Sequence, residues 1–167
     1  VIVISITTGL GFTIINNSKD KINKLYFLNI ITIIGWGLSM MYYRQSNEYS
    51  VLIWSKILYA SATLIASSFL YFTYVFPKYN KQSFLTKFCI FTPNLILIIL
   101  IFSNNLIIKN VLINSSTENI IYWGNLYLVY VAYILFYFNF GFYRLYRKIK
   151  TTVDKTEKLQ ITYLLLG

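Results

Sequence analysis

Long apolar stretches alternate with short polar links along the whole chain. The stretches cover residues 1–15, 25–43, 51–76, 84–102, 120–143 and 159–167. The four interior ones, roughly 19–26 residues each, match a hydrocarbon core of about 30 Å at about 1.5 Å of rise per residue. None alternates with period two, so a lipid-facing barrel is not expected. A backbone in lipid must satisfy its own hydrogen bonds, which makes these stretches helices. The pattern predicts an all-α fold, a polytopic transmembrane helical bundle. The first and last stretches are too short to cross alone. Residues 1–167 are therefore expected to form one transmembrane domain cut at both ends. Pro77 closes the third stretch and Pro93 lies inside the fourth.

Composition supports lipid as the solvent. The chain is 57% hydrophobic and 19% aromatic, and only 12% charged. A soluble domain carries about 25% charged residues. The net charge of +10 invites a nucleic-acid reading, but its placement argues otherwise. Links fall on alternate sides of the membrane. One side holds Lys19, Lys21, Lys24, Lys78, Lys81, Lys87, Arg144, Arg147, Lys148, Lys150, Lys155 and Lys158; the other holds only Arg44, Lys56 and Lys109. The positive-inside rule puts the first group in the cytoplasm and the N-terminus outside. The charge is thus a topology signal, and no nucleic acid is expected as a partner. For Arg144 to Lys150, a positive-inside anchor is the favoured reading and contact with anionic lipid headgroups the lesser one.

Candidate chemistry is sparse. There is no His, and the single Cys89 makes no disulfide framework. Asp20, Glu48, Glu118, Asp154 and Glu157 all fall in links or near stretch ends. Metal sites, acid–base catalysis and proton relays therefore have no side chains to use. No cofactor and no catalytic residue is expected.

Two stretches carry candidate site residues. In the third, Ser55, Tyr59, Ala62, Ala66 and Thr73 recur at helical spacing, with Phe69 between and Thr63, Ser67 and Tyr71 alongside. Small and hydroxylated residues let helices approach closely, so this helix is expected inside the bundle. Tyr59, Ser67 and Tyr71 either line a ligand cavity or only pack. Lys56 is expected to snorkel outward, with Glu48 near in sequence. In the fifth, Tyr130, Tyr133 and Tyr137 lie deep, and each phenol needs a partner. That partner is either a hydroxyl of the third helix or a stacked ligand. Asn94 follows Pro93, where a kink and an amide line a cavity or serve packing.

The order of certain residues resembles the N-terminal seven-helix membrane region of bacterial sensor histidine kinases. They are Trp36; Trp54, Lys56 and Tyr59; Phe69, Phe72 and Phe76-Pro77; Pro93; Gly124, Tyr127 and Tyr130; and Arg147-Lys148 leading to Gln160 and Gly167. The resemblance implies a membrane-embedded sensory input domain in the plasma membrane. It would pass a signal to a cytoplasmic histidine kinase not present in this chain. It also implies a homodimer in the full-length protein. Membrane lipids and a small or lipophilic ligand would be the other partners. The chain lacks any kinase core and is not expected to be an enzyme itself. A transporter or permease fragment is the alternative, and an enzyme acting on lipid comes last.

Overall fold

The computed structural model describes residues 21–103, 105–113 and 119–166. The expected helix over 1–15 lies outside them, as do Lys19, Asp20, Glu118 and Gly167. Five helices and one hairpin are described: α1 (Lys21–Gln45), α2 (Val51–Val75), α3 (Phe84–Phe102), β1 (Ile108–Leu112), β2 (Ile120–Trp123), α4 (Tyr127–Thr151) and α5 (Lys155–Leu166). The first four helices are long and apolar enough to cross a membrane.

α2 is the central helix, packed against α1, α3 and α4. Its buried hydroxyls explain how a polar face tolerates the interior. Ser55, Thr63, Ser67, Ser68 and Thr73 each donate to the carbonyl three residues back in their own helix. No hydroxyl proton is left unmatched, and the small side chains keep neighbouring backbones close. Against α1 the contact is also polar. Ser68 shares its one proton between Ile65 O and Asn29 Oδ1, the latter at 3.0 Å, and Ser39 and Ser61 approach to 3.5 Å. Against α4 it is aromatic. Phe69 lies between Phe138 and Phe142, 5.6 and 5.2 Å away. Gly141 makes room there, because a Cβ at that position would come within 2.7 Å of the Phe69 ring.

The outer helices sort their residues by periodicity. On α3, Ile90, Asn94, Leu97 and Ile101 turn inward, while Leu85, Leu95, Ile96 and Ile99 face out. Such outward apolar residues are at home in lipid. On α4, Tyr130, Tyr133, Tyr137, Gly141 and Leu145 form the buried stripe.

The fifth stretch departs from the expected helix over 120–143. Ile120–Trp123 pairs antiparallel with Ile108–Leu112, matching Val111 to Ile121 and Leu112 to Ile120, with an irregularity between Ile108 and Asn110. Ile120–Trp123 is β-branched or aromatic at every position and Ile108–Leu112 at Ile108 and Val111, which suits strands. At a bundle end the backbone is free of the rule that only helices survive in hydrocarbon. Ile107, Ile108 and Val111 are buried in the same apolar core as Val51 at the start of α2, and β1 packs against that helix. Gly124 closes the turn into α4. Its N–H donates to Ile107 O at 2.9 Å. A Cβ there would lie 2.0 Å from Leu106 O, a distance no side chain permits.

α4 then continues to Thr151, through the basic segment expected to be a link. Arg and Lys are good helix formers, and their charge suits the negative C-terminal end of the helix dipole.

Candidate functional site

The two ends of the bundle differ in construction. At the hairpin end, a cavity of about 520 Å³ is lined by Met40, Tyr43 and Arg44 of α1, Leu58 and Tyr59 of α2, and Asn119 and Ile121 beside or on β2. Tyr59 joins this cavity to an aromatic cluster. Its ring centre lies 5.7 Å from Trp123 and 5.2 Å from Tyr130. Trp123 stacks on Tyr127 at 3.9 Å. Edge and offset contacts of this kind favour a fixed arrangement of rings beyond the area they bury. With one guanidinium, two phenols and an amide on otherwise apolar walls, the cavity can hold a small amphipathic molecule.

The basic end is built on hydrogen bonds freed by proline. Pro77 has no N–H for the carbonyl of Thr73, which a continuing helix would have satisfied. Lys148 of α4 takes that place. Its ammonium donates to Thr73 O at 2.8 Å, to Tyr74 O at 3.2 Å and to Phe76 O. An ammonium has three donors, and three carbonyls receive them. Beside it, the Arg144 guanidinium sits 3.4 Å from the centre of the Tyr74 ring. Pro93 makes the same gap at Cys89 O inside α3. There Tyr137 of α4 places its hydroxyl 2.9 Å from Ile90 O and 3.5 Å from Cys89 O. The chain has two prolines, and α4 answers both.

The seven candidate residues are spread along the bundle. Tyr59 lines the hairpin-end cavity, and Tyr130 packs against it with its ring tilted. Tyr133 is buried deeper, its ring tilted against Tyr137 at 4.0 Å and its hydroxyl 3.4 Å from Thr63 O. Tyr137 lines a separate cavity of about 390 Å³ nearer the basic end. Tyr71 packs its ring against Phe91 at 5.5 Å. Ser67 is fully buried and bonded to its own helix. Asn94 is buried, and its Oδ1 finds no partner among the described residues. Ser67, Tyr71 and Asn94 line neither of these two cavities.

Lys56 departs from the expected snorkelling. It is only 9% exposed, beside the fully buried Ser55. Among the described residues the one ion pair is Lys78 with Glu157 at 4.0 Å, so Glu48 does not partner Lys56. Arg144 and Lys148, which do most at the basic end, were not among the candidate site residues of the sequence. Pro77 was the available clue, since a helix stopped by proline leaves a carbonyl to be met.

The family described as "N-terminal 7TM region of histidine kinase" matches residues 1–167. The chain belongs to that family. It is a sensory membrane domain of the kind histidine kinases carry at their N-termini, and not their catalytic domain. No curated protein and no solved structure matches the chain.

Proposed function

We propose that this 7TM region takes in a signal at its hairpin end and passes it to a cytoplasmic histidine kinase not present in this chain. The basic end faces the cytoplasm in this reading, and the N-terminus lies outside. The observation that carries it is the position of α2. One end of that helix presents Tyr59 to the cavity, and the carbonyls at its other end are held by Lys148 of α4. A small or lipophilic ligand that fits one packing of Tyr59, Trp123 and Tyr130 better than another would move α2 against α4. Only such a difference in affinity can shift the two packings. The shift would reach the basic end through Lys148 and leave through α4 and α5.

The test uses the full-length protein in nanodiscs. Tyr59→Leu and Lys148→Met, at opposite ends of α2, should each change basal autophosphorylation by about fivefold, the effect of coupling on the order of 1 kcal/mol. Output unchanged in both variants sinks the coupling. A cysteine introduced at Lys150 should resist impermeant thiol reagents added outside intact cells; labelling there sinks the orientation. A proteoliposome flux that depends on Asn94 or Tyr71 would move the transporter alternative to first place.

A further inference from the structure

Two cavities meet on α4 at the basic end. The first, about 230 Å³, is lined by Phe140, Tyr143, Arg144, Arg147, Lys148 and Thr151. The second, about 390 Å³, lies deeper between α2, α3 and α4, with Leu70, Tyr74, Leu85, Phe136 and Tyr137 among its walls. Phe140 lines both. The stacked pair bridges them as well, since Arg144 belongs to the first and Tyr74 to the second. A cationic hollow and an apolar one therefore lie side by side, with Phe140 common to their walls.

The cations of the hollow are not equally free. Lys148 has committed its three donors to the end of α2 and offers only its charge. The Thr151 hydroxyl donates back to its own helix. Arg147 is exposed. Arg144 has its face on Tyr74, and its buried Nε finds no partner among the described residues. No carboxylate lines either cavity. A guanidinium held in place over Tyr74, next to a second guanidinium and an ammonium with no carboxylate among them, is arranged for an anionic oxygen cluster.

The geometry points to a binding site for one anionic phospholipid, its phosphate between Arg144 and Arg147 and an acyl chain along Phe140 into the cavity beside Tyr137. The head meets charge and the tail meets hydrocarbon-lined walls, which neither a free anion nor a neutral lipid matches. This requires only that the basic end lies at a membrane surface. It stands apart from the sensory reading, and a protein with no kinase coupling would still bind the lipid.

Native mass spectrometry of the delipidated full-length protein, with lipid added back, tests the site. Dihexanoyl phosphatidylglycerol should be retained in preference to dihexanoyl phosphatidylcholine, and glycerol phosphate should bind more weakly than phosphatidylglycerol. Arg147→Gln removes an exposed charge that takes no part in the hold on α2. It should weaken phosphatidylglycerol about fivefold, as expected for one cation at a lipid surface. Arg144→Gln should weaken it further. Phosphatidylcholine binding as well as phosphatidylglycerol would leave only a greasy groove and overturn the proposal. Glycerol phosphate binding as tightly as the lipid would make it a free-anion site and overturn the lipid assignment. No retained lipid, or affinity unchanged in Arg147→Gln, overturns it outright.

Discussion

The two ends of α2 are held by different physics. At the hairpin end, Tyr59 rests among rings, beside a cavity and next to a two-stranded sheet. Each such ring pair is worth about 0.5–1.5 kcal/mol beyond its buried area, and rings can slide over one another at modest cost. At the basic end, Lys148 grips three carbonyls through charge-assisted hydrogen bonds. These are directional and roughly twice as strong as neutral ones. One end can therefore adjust while the other stays registered to α4. A helix anchored at one end and adjustable at the other suits a domain that must respond without falling apart.

Four substitutions break or sharpen this contrast. The largest effect is expected from Gly124→Val. The new Cβ would overlap the Leu106 carbonyl, and backbone cannot move aside as a side chain can. A loss of about 3 kcal/mol, read as a lower melting temperature in detergent, would show that the hairpin end is adjustable only in its rings. A variant as stable as the parent would mean that the turn does not close as described.

Next comes Lys148→Met, which keeps the stem and removes the ammonium. The Thr73 carbonyl then faces Pro77 with no donor, and about 2 kcal/mol should be lost. Replacing Pro77 by Ala in the same chain should recover part of that loss, because α2 can then extend through Phe76 and bring the new N–H to Thr73 O. Equal losses with and without the second change would remove Pro77 as the reason for the grip.

Tyr137→Phe asks the same question at mid-bundle. Its hydroxyl serves the carbonyls beside Pro93, so its loss should cost about 1 kcal/mol. Combined with Pro93→Ala, the cost should shrink, and a strictly additive cycle would refute the link between the two residues.

Ser68→Ala should do least, about 0.6 kcal/mol, typical of a hydrogen bond between membrane helices. A larger loss than that of Lys148→Met would place the main anchor of α2 on α1 and reverse the contrast.

Much of the fold was legible in the chain because bilayer thickness sets a length and hydrocarbon sets a composition. The stretch ending at Pro77 and the one starting at Phe84 read directly as helices for that reason. The small-residue face of the third stretch likewise read as an interior helix, since only small side chains allow close approach. The hairpin was not legible. Ile120, Ile121, Tyr122 and Trp123 are as apolar as the helix that follows, and length counts cannot separate strand from helix where the bilayer rule stops. The candidate site was legible only in part. Tyr59, Tyr130 and Tyr137 could be named from depth and spacing, but which cavity each touches depends on helix rotation and tilt. Those are set by neighbours, not by the residue's own segment.

By itself, the sequence determined that this chain is built of helices long and apolar enough to cross a membrane and that its basic charge falls in or beside the links between them. The length of apolar runs and the cost of charge in hydrocarbon are local properties, readable one segment at a time. Only the tertiary structure decided that Lys148 closes the end of α2, that Tyr137 answers Pro93 and that Arg144 lies over Tyr74. Each of these pairs joins residues many positions apart. A carbonyl freed by proline announces in sequence that it needs a donor, but not which distant helix supplies one.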